Sequence, residues 1–377
     1  MTVPTRPIEL TAVGDVIVKR PDPKSIFELA VPVLGSADIS FGNCESPYAT
    51  GGMRNPHARG AMQGDPHSID ALSSAFDVMS FANNHHLDAG EDAFFETLRS
   101  LHDAGIQTCG AGATLSEARR PAVVERSGTR VAFLAYTAIL YPGYDATDDR
   151  AGAVPLRTTT TYQQVEMEQP GSPPRIMTTA DPNDLGALRR DVTTAREVAD
   201  VVAVSLHWGL HFTPAAVADY ETEVGQAAID AGADIVIGHH QHILEPIEVY
   251  RGKVIFHGLG NFAIDLNLAE HAASPGLKEM LARYPDCGLE HRPEYPTYPF
   301  HPHARRTIIA RCHIIGGSIS RVSFIPCYIN PLGQPEPVKA GDVRFGEVAT
   351  YVREITAKAG FDVRFRDCHD DVEVEVA

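Results

Sequence analysis

Short apolar runs bounded by glycine, aspartate and asparagine alternate with stretches of helical periodicity along most of this chain. Residues 8–18, 37–42 and 76–82 each read as a strand. The third run leads into a helix in which Phe94, Phe95, Leu98 and Leu101 recur at helical spacing. Residues 105–109 and 130–136 predict two further strands. The Thr- and Pro-rich stretch 158–182 offers few core positions and reads as a surface excursion or lid. Regular alternation then returns, with helices over 184–199 and 218–231 and strands over 200–206, 234–237 and 253–257. Residues 272–305 break that rhythm with many prolines, histidines and tyrosines. Beyond them, 307–315 and 318–325 flank Gly316-Gly317 as a hairpin, and a last helix over 343–358 precedes an acidic tail. Alternation of helix and strand predicts a layered α/β architecture. With no internal repeat and no clean linker, residues 1–377 are expected to form one domain, with 272–305 as an insertion facing the substrate.

Composition narrows the class. Hydrophobic residues make up 44% of the 377 and charged residues 21%, which supports a sizeable core. Net charge is −17, from 49 acidic against 32 basic residues, and this disfavours a nucleic-acid or anionic-membrane surface. No run approaches the roughly 18 apolar residues of a membrane span, and Met1 to Pro7 lacks the apolar core of a signal peptide. A cytoplasmic location is therefore expected, with no membrane partner; the oligomeric state is left open. The six cysteines are scattered without CxxC pairs, which argues against a zinc ribbon or disulfide scaffold and for a reducing compartment.

The polar residues that interrupt the apolar runs are the informative ones. Successive strands end in Gly14-Asp15, in Asn43-Cys44-Glu45, in Asn83-Asn84-His85-His86-Leu87-Asp88, in His207-Trp208-Gly209 and in Gly238-His239-His240-Gln241-His242. Each has an ordinary structural reading by itself: Asp15 a cap, Asn83-Asn84 a turn, His207 a core histidine. Ligands of α/β sheets bind beyond the carboxyl ends of the strands, so five such segments are expected to converge. In an extended segment His240 and His242 would share a face and point to one ion. Asp15, Glu45, Asn84, His207, His240 and His242 then form a candidate ligand set. Mixed carboxylate, amide and imidazole donors suit Mn²⁺, Fe²⁺ or Zn²⁺. Cys44, between two candidates, would face the opposite way and is read as packing.

The ordered motifs GD, NCE, ANNHHLDAG, SLHWG, GHHQH and GLGNF resemble the bacterial capsule-synthesis family of the CapA or poly-γ-glutamate-synthesis type. That family groups with the calcineurin-like metallophosphoesterases. The likeness runs over about residues 8–265 and resumes from 307 to about 335. It implies a four-layer α/β/β/α sandwich with a metal site at the strand ends. It further implies that Asp15 and His242 serve a first metal, that Asn84, His207 and His240 serve a second, and that Glu45 stands where a bridging aspartate is expected. His85 takes the place of the catalytic histidine. Two positions depart from the pattern: Ile17 replaces the histidine of Asp-x-His, and Glu45 replaces an aspartate. One or two divalent ions thus remain open. Relatives commonly carry an N-terminal membrane anchor; none is expected here, and a role in exporting or anchoring capsule is accordingly not expected.

The expected chemistry is hydrolysis of a phosphoester or amide bond in a small-molecule or peptide substrate, with water activated by the metal. His85 would protonate the leaving group, and Asp88 either fixes the His85 tautomer or caps a helix. Asn43 and Asn261 would hydrogen-bond substrate or shape the loops. His301, His303, Arg305 and Arg306 are the substrate-facing candidates of the insertion, the arginines as anion clamps. Two other classes remain: a metal-dependent peptide epimerase, which a first site trimmed at Ile17 would suit, and a non-catalytic capsule-assembly protein.

Overall fold

The structure is a computed structural model that describes residues 6–58, 60–268, 278–279, 282–283, 288–289 and 292–376. Two mixed sheets face one another. The first runs Arg364–Cys368, Asp371–Glu375, Ser318–Ile329, Arg306–Ile315, Ile8–Ile17, Ile39–Cys44, Val78–Ser80, Gln107–Cys109, with Asn261–Ile264 also paired to Ile8–Ile17. The second runs Ile247–Tyr250, Lys253–Phe256, Ile235–His239, Val201–His207, Thr129–Thr137, Ala122–Arg126.

Period-two alternation divides the side chains among the layers. Val131, Phe133 and Ala135 face the first sheet, and Phe133 stacks on Phe41 across the gap at 5.3 Å between ring centroids. Ala132, Leu134 and Tyr136, one residue out of phase, pack instead against Leu188, Val192 and Val224 of the helices Pro182–Val198 and Asp219–Asp230. On the far side, Met79, Phe81 and Val16 of the first sheet pack with Phe94 and Leu101 of the helix Gly90–Asp103. Helix, sheet, sheet, helix is the expected four-layer order. The helix Val343–Lys358 adds Val348, Val352 and Ile355 to the inter-sheet core.

The structure corrects the tail. Residues beyond the last helix form the strands Arg364–Cys368 and Asp371–Glu375, which extend the first sheet. Val372 and Val374 are buried, while Asp371 before them and Glu373 between them are matched by Arg321. Charge density had masked that alternation. Ala122–Arg126, Ile247–Tyr250 and Asn261–Ile264 are further strands that the apolar pattern did not single out. The stretch 158–182 forms a hairpin of Thr158–Gln163 with Arg175–Ala180, the first strand exposed throughout. Much of 272–305 lies outside the described residues.

Candidate metal centre

The site forms where the parallel strands of both sheets end together. In the first sheet, Asp15 is in register with Asn43 on one side and Asn261 on the other. In the second, His207 is in register with His239. Register shifts flank Asp15 on both strand pairings, and such irregularities re-aim side chains at sheet edges. The preceding Gly14 is required by contact: a Cβ there would lie 1.9 Å from the Gly260 carbonyl oxygen, which accepts from the Asp15 amide.

Asp15, Glu45 and His207 are fully buried, and Asn84 and His240 nearly so. Asp15 Oδ1 accepts from Asn43 Nδ2 at 2.9 Å and Oδ2 from the His240 amide at 3.2 Å. Burial pushes the Asp15 carboxyl up, but His242 beside it, with His239 and Asn43, holds it below the ordinary value. His207 Nε2 lies 2.6 Å from Asn84 Oδ1, 3.1 Å from His240 Nδ1 and 3.6 Å from Glu45 Oε1. Ligand bonds of about 2.1 Å at tetrahedral or octahedral angles place neighbouring donors about 3.0–3.4 Å apart, which is close to this spacing. Three sets of donor atoms each fall within 4.8 Å: Glu45 with His207 and His240, Asp15 with Glu45 and His242, and Asp15 with His207 and His239. Glu45 belongs to two of them.

Glu45 also supplies the test of fit. Both its carboxylate oxygens are buried without a hydrogen-bond partner. Burial, then Asp15 and Asp88, push its carboxyl well above the ordinary range, the expected behaviour of an acid lacking its counter-charge. Burial likewise pushes His207 and His240 well below the ordinary imidazole value, keeping them neutral and able to donate lone pairs. Orphaned carboxylate, amide oxygen and neutral imidazoles fit a divalent transition metal.

His239 was not among the expected ligands. It continues the inward face of Ile235 and Ile237, so strand alternation could have found it. Its Nδ1 lies 2.7 Å from His207 Nδ1 and its Nε2 2.7 Å from Ser205 Oγ. If His207 offers Nε2 as a ligand, its Nδ1 carries the proton and donates to His239 Nδ1. His239 then donates through Nε2 to Ser205, and the tautomers of both rings are set. The bend that carries the other two histidines is not extended. His240 has φ 108° and His242 φ 60°, so strained backbone rather than strand alternation brings the two rings in.

His85 Nδ1 lies 2.6 Å from Asp88 Oδ2, which also accepts from the Met62 amide at 2.7 Å; Asp88 Oδ1 accepts from Tyr144 Oη at 2.9 Å. Tyr144 lies in no motif, and sequence gave no signal for it. Asn43 and Asn261 are fully buried, and each is engaged at both ends of its amide. Asn43 accepts from Asn83 Nδ2 while donating to Asp15. Asn261 Oδ1 is 2.8 Å from His242 Nδ1, and its Nδ2 donates to Tyr298 Oη at 2.9 Å.

The segment before Arg306 reaches the site at Phe300. Phe300 packs on His242 at 5.5 Å and on Phe212 at 6.3 Å between ring centroids. His301 and His303 stack on each other. Arg305 lies over the Tyr295 ring and Arg306 over the Tyr351 ring, at 3.8 and 4.5 Å. Cys44 sits in the outer apolar cluster, its thiol pushed up to about 12 by burial, as packing requires.

Facing mixed sheets between helical layers, with these donors at the carboxyl ends of parallel strands, define an α/β protein of the metallophosphoesterase-like class. Residues 9–266 match the family described as Bacterial capsule synthesis protein PGA_cap, and the chain belongs to that family. It is 31% identical over 244 residues to the PGA biosynthesis protein CapA of Bacillus subtilis (strain 168), an overlap of 64% of this chain and 57% of that one. It is 27% identical over 270 residues to the capsule biosynthesis protein CapA of Bacillus anthracis, covering 68% and 60%. A probable polyglutamine synthesis accessory protein of Mycobacterium tuberculosis (strain ATCC 25618 / H37Rv) is 32% identical over 247 residues, covering 63% and 58%. The matches thus span about three-fifths of the length of these relatives. Among the described residues, no helix is long and apolar enough to cross a membrane.

Proposed function

We propose that this chain is a metal-dependent hydrolase of a phosphoester or of an amide bond, peptide or glutamyl in type. The observation that carries the reading is Glu45, a buried carboxylate shared by two donor sets with neither oxygen otherwise engaged. Asp15, Glu45, Asn84, His207, His240 and His242 would hold Mn²⁺, Fe²⁺ or Zn²⁺, as one ion or two. The ion, when bound, supplies Lewis acidity and activates water. Asn43 and Asn261 act on Asp15 and His242, holding each side chain in one orientation. His85 donates the proton to the leaving group, and Asp88, held in turn by Tyr144 and the Met62 amide, orients its ring. The names of the relatives, which refer to PGA and polyglutamine, support the amide branch of the proposal; the fold class supports the phosphoester branch.

Elemental analysis of purified protein beside Asp15→Asn and His240→Ala tests the site, and turnover of aryl phosphates and γ-glutamyl peptides tests the reaction. Near-stoichiometric metal lost in both variants, with turnover lost in His85→Ala, is expected. Absence of metal after reconstitution with each of the three ions would overturn the proposal. One observation favours epimerisation at a peptide Cα as a second reading. Ile17, where the family pattern has histidine, is buried against Phe212, Ile243 and Ile264, which leaves the Asp15 side poorer in donors. Deuterium uptake from heavy water without bond cleavage would identify that reaction.

A further inference from the structure

Among the described residues, seven other than glycine have φ in the left-handed region, and four of them lie in two short segments. His240 and His242 are in one; Phe212, with φ 51°, and Ala215, with φ 61°, are in the other. A bulky side chain takes that conformation only where its surroundings impose it, and such strain gathers at functional sites. The two segments are also bonded to each other. The Trp208 amide donates to the His239 carbonyl at 3.1 Å, and the Phe212 amide to the Gln241 carbonyl at 3.0 Å. The Phe212 ring is buried in the cluster that holds Ile17, Ile243 and Phe300.

Between these two anchors stands His211. Its ring packs on two candidate ligands, with centroids 4.0 Å from that of His240 and 5.3 Å from that of His242. Its backbone is held as well, since Thr213 Oγ1 donates to the His211 carbonyl at 2.8 Å. Charges on His242, His85 and Asp15 all act on the ring, so it belongs to the same cluster. Yet His211 is in none of the donor sets that could share an ion. The residue is partly exposed while its Nε2 is covered, so a ring nitrogen stands beside the ligands and away from bulk water. That is the placement of a group that meets what the site binds.

We propose that His211 is a further catalytic residue of this site, its imidazole donating a hydrogen bond to an oxygen of the phosphoryl or carbonyl group under attack. The inference rests on the hydrolase reading and names a contact to the substrate that this reading lacked. An imidazole carries an N–H whether it is neutral or charged, so the donor is always present. A hydrogen bond to oxygen strengthens as negative charge develops there, and a donor already in place needs no reorganisation at that moment. The strained loop, anchored on both sides of His211, supplies that fixed placement. His85 then serves the leaving group, and His211 the group it leaves.

The test compares His211→Ala, His211→Phe and His211→Gln with the wild type as metal-loaded full chains, on aryl phosphates and γ-glutamyl peptides. His211→Ala and His211→Phe are expected to lower kcat by about 10²–10³-fold with little change in KM. His211→Gln, which restores an N–H, should recover part of that loss. A packing role would give the reverse order, because His211→Phe keeps a ring against His240. Metal content should match the wild type in all three. Inorganic phosphate, a tetrahedral stand-in for the reacting group, should bind about tenfold more weakly to His211→Ala and His211→Phe. That weakening supports the contact even where neither substrate turns over. Wild-type turnover in His211→Phe, or metal lost from all three variants, overturns the inference, since the ring is then packing or a ligand. A wild type that binds no phosphate and turns over neither substrate overturns the hydrolase reading with it. Should His211→Ala fail to fold, His211→Phe and His211→Gln decide.

Discussion

Asp15 and Asn43 sit opposite each other on adjacent parallel strands, and the Asn43 amide donates to Asp15 Oδ1 at 2.9 Å. The strand register therefore fixes the orientation of a candidate metal ligand. Asn43→Ala should leave the fold intact and weaken metal affinity by about 10–100-fold. Competition titration against a chelator of known affinity measures it, and unchanged affinity would separate Asn43 from the site.

Glu45 should show opposite effects with and without metal. Glu45→Gln removes a buried, unmatched carboxylate, so the metal-free variant should melt a few degrees above the metal-free wild type. The same variant should lose most of the stabilisation that added metal gives. Paired melting curves with and without EDTA check both signs.

His85 and Asp88 should separate chemistry from binding. His85→Ala and Asp88→Asn are each expected to lower kcat by about 10²–10⁴-fold. Metal content should stay near that of the wild type in both, because neither belongs to the clustered donor sets. Metal loss in either variant would make it a ligand instead.

Buried histidines should make the metal-free protein lose stability to acid, against the opposite pull of raised carboxyls such as Glu45. Burial pushes the His211 imidazole down to about 3 and that of His239 to about 4. The unfolded chain takes up these protons near pH 6.5 and the folded chain does not, so stability falls as pH drops from 6.5 towards 4. The loss should amount to a few kcal/mol in all, measured by urea unfolding across that range. Raised carboxyls such as Glu45 act in the opposite sense, so the loss is read as the difference between wild type and a His211→Gln/His239→Gln variant; no difference would mean that neither ring is held neutral by the fold.

Gly14→Ala should be among the most damaging small substitutions. Its Cβ would meet the Gly260 carbonyl oxygen at 1.9 Å, and both partners are backbone. Loss of soluble expression, or a Tm lower by many degrees, is expected; a variant of near-normal Tm would show that the two strands can separate there.

Much of this was legible along the chain. Strands such as Val201–His207 and Thr129–Thr137 announce themselves because both faces are covered, so the apolar run is nearly continuous. The tail strands did not, because Asp371 and Glu373 need a cross-strand arginine that no local window contains. Tyr144 was invisible for a similar reason. It reaches Asp88 from 56 residues away, through a contact made only when the layers close.

The sequence alone determined the alternation that makes a layered α/β protein, and it placed candidate donors at the ends of five apolar runs. Both are local properties, written in the period of apolar residues and in what interrupts it. Only the tertiary structure decided which donors meet. Register put Asn43, Asp15 and Asn261 in one row, backbone strain turned His240 and His242 inward, and close packing left Glu45 without a counter-charge. Those outcomes depend on distances between segments far apart in the chain, which periodicity does not encode.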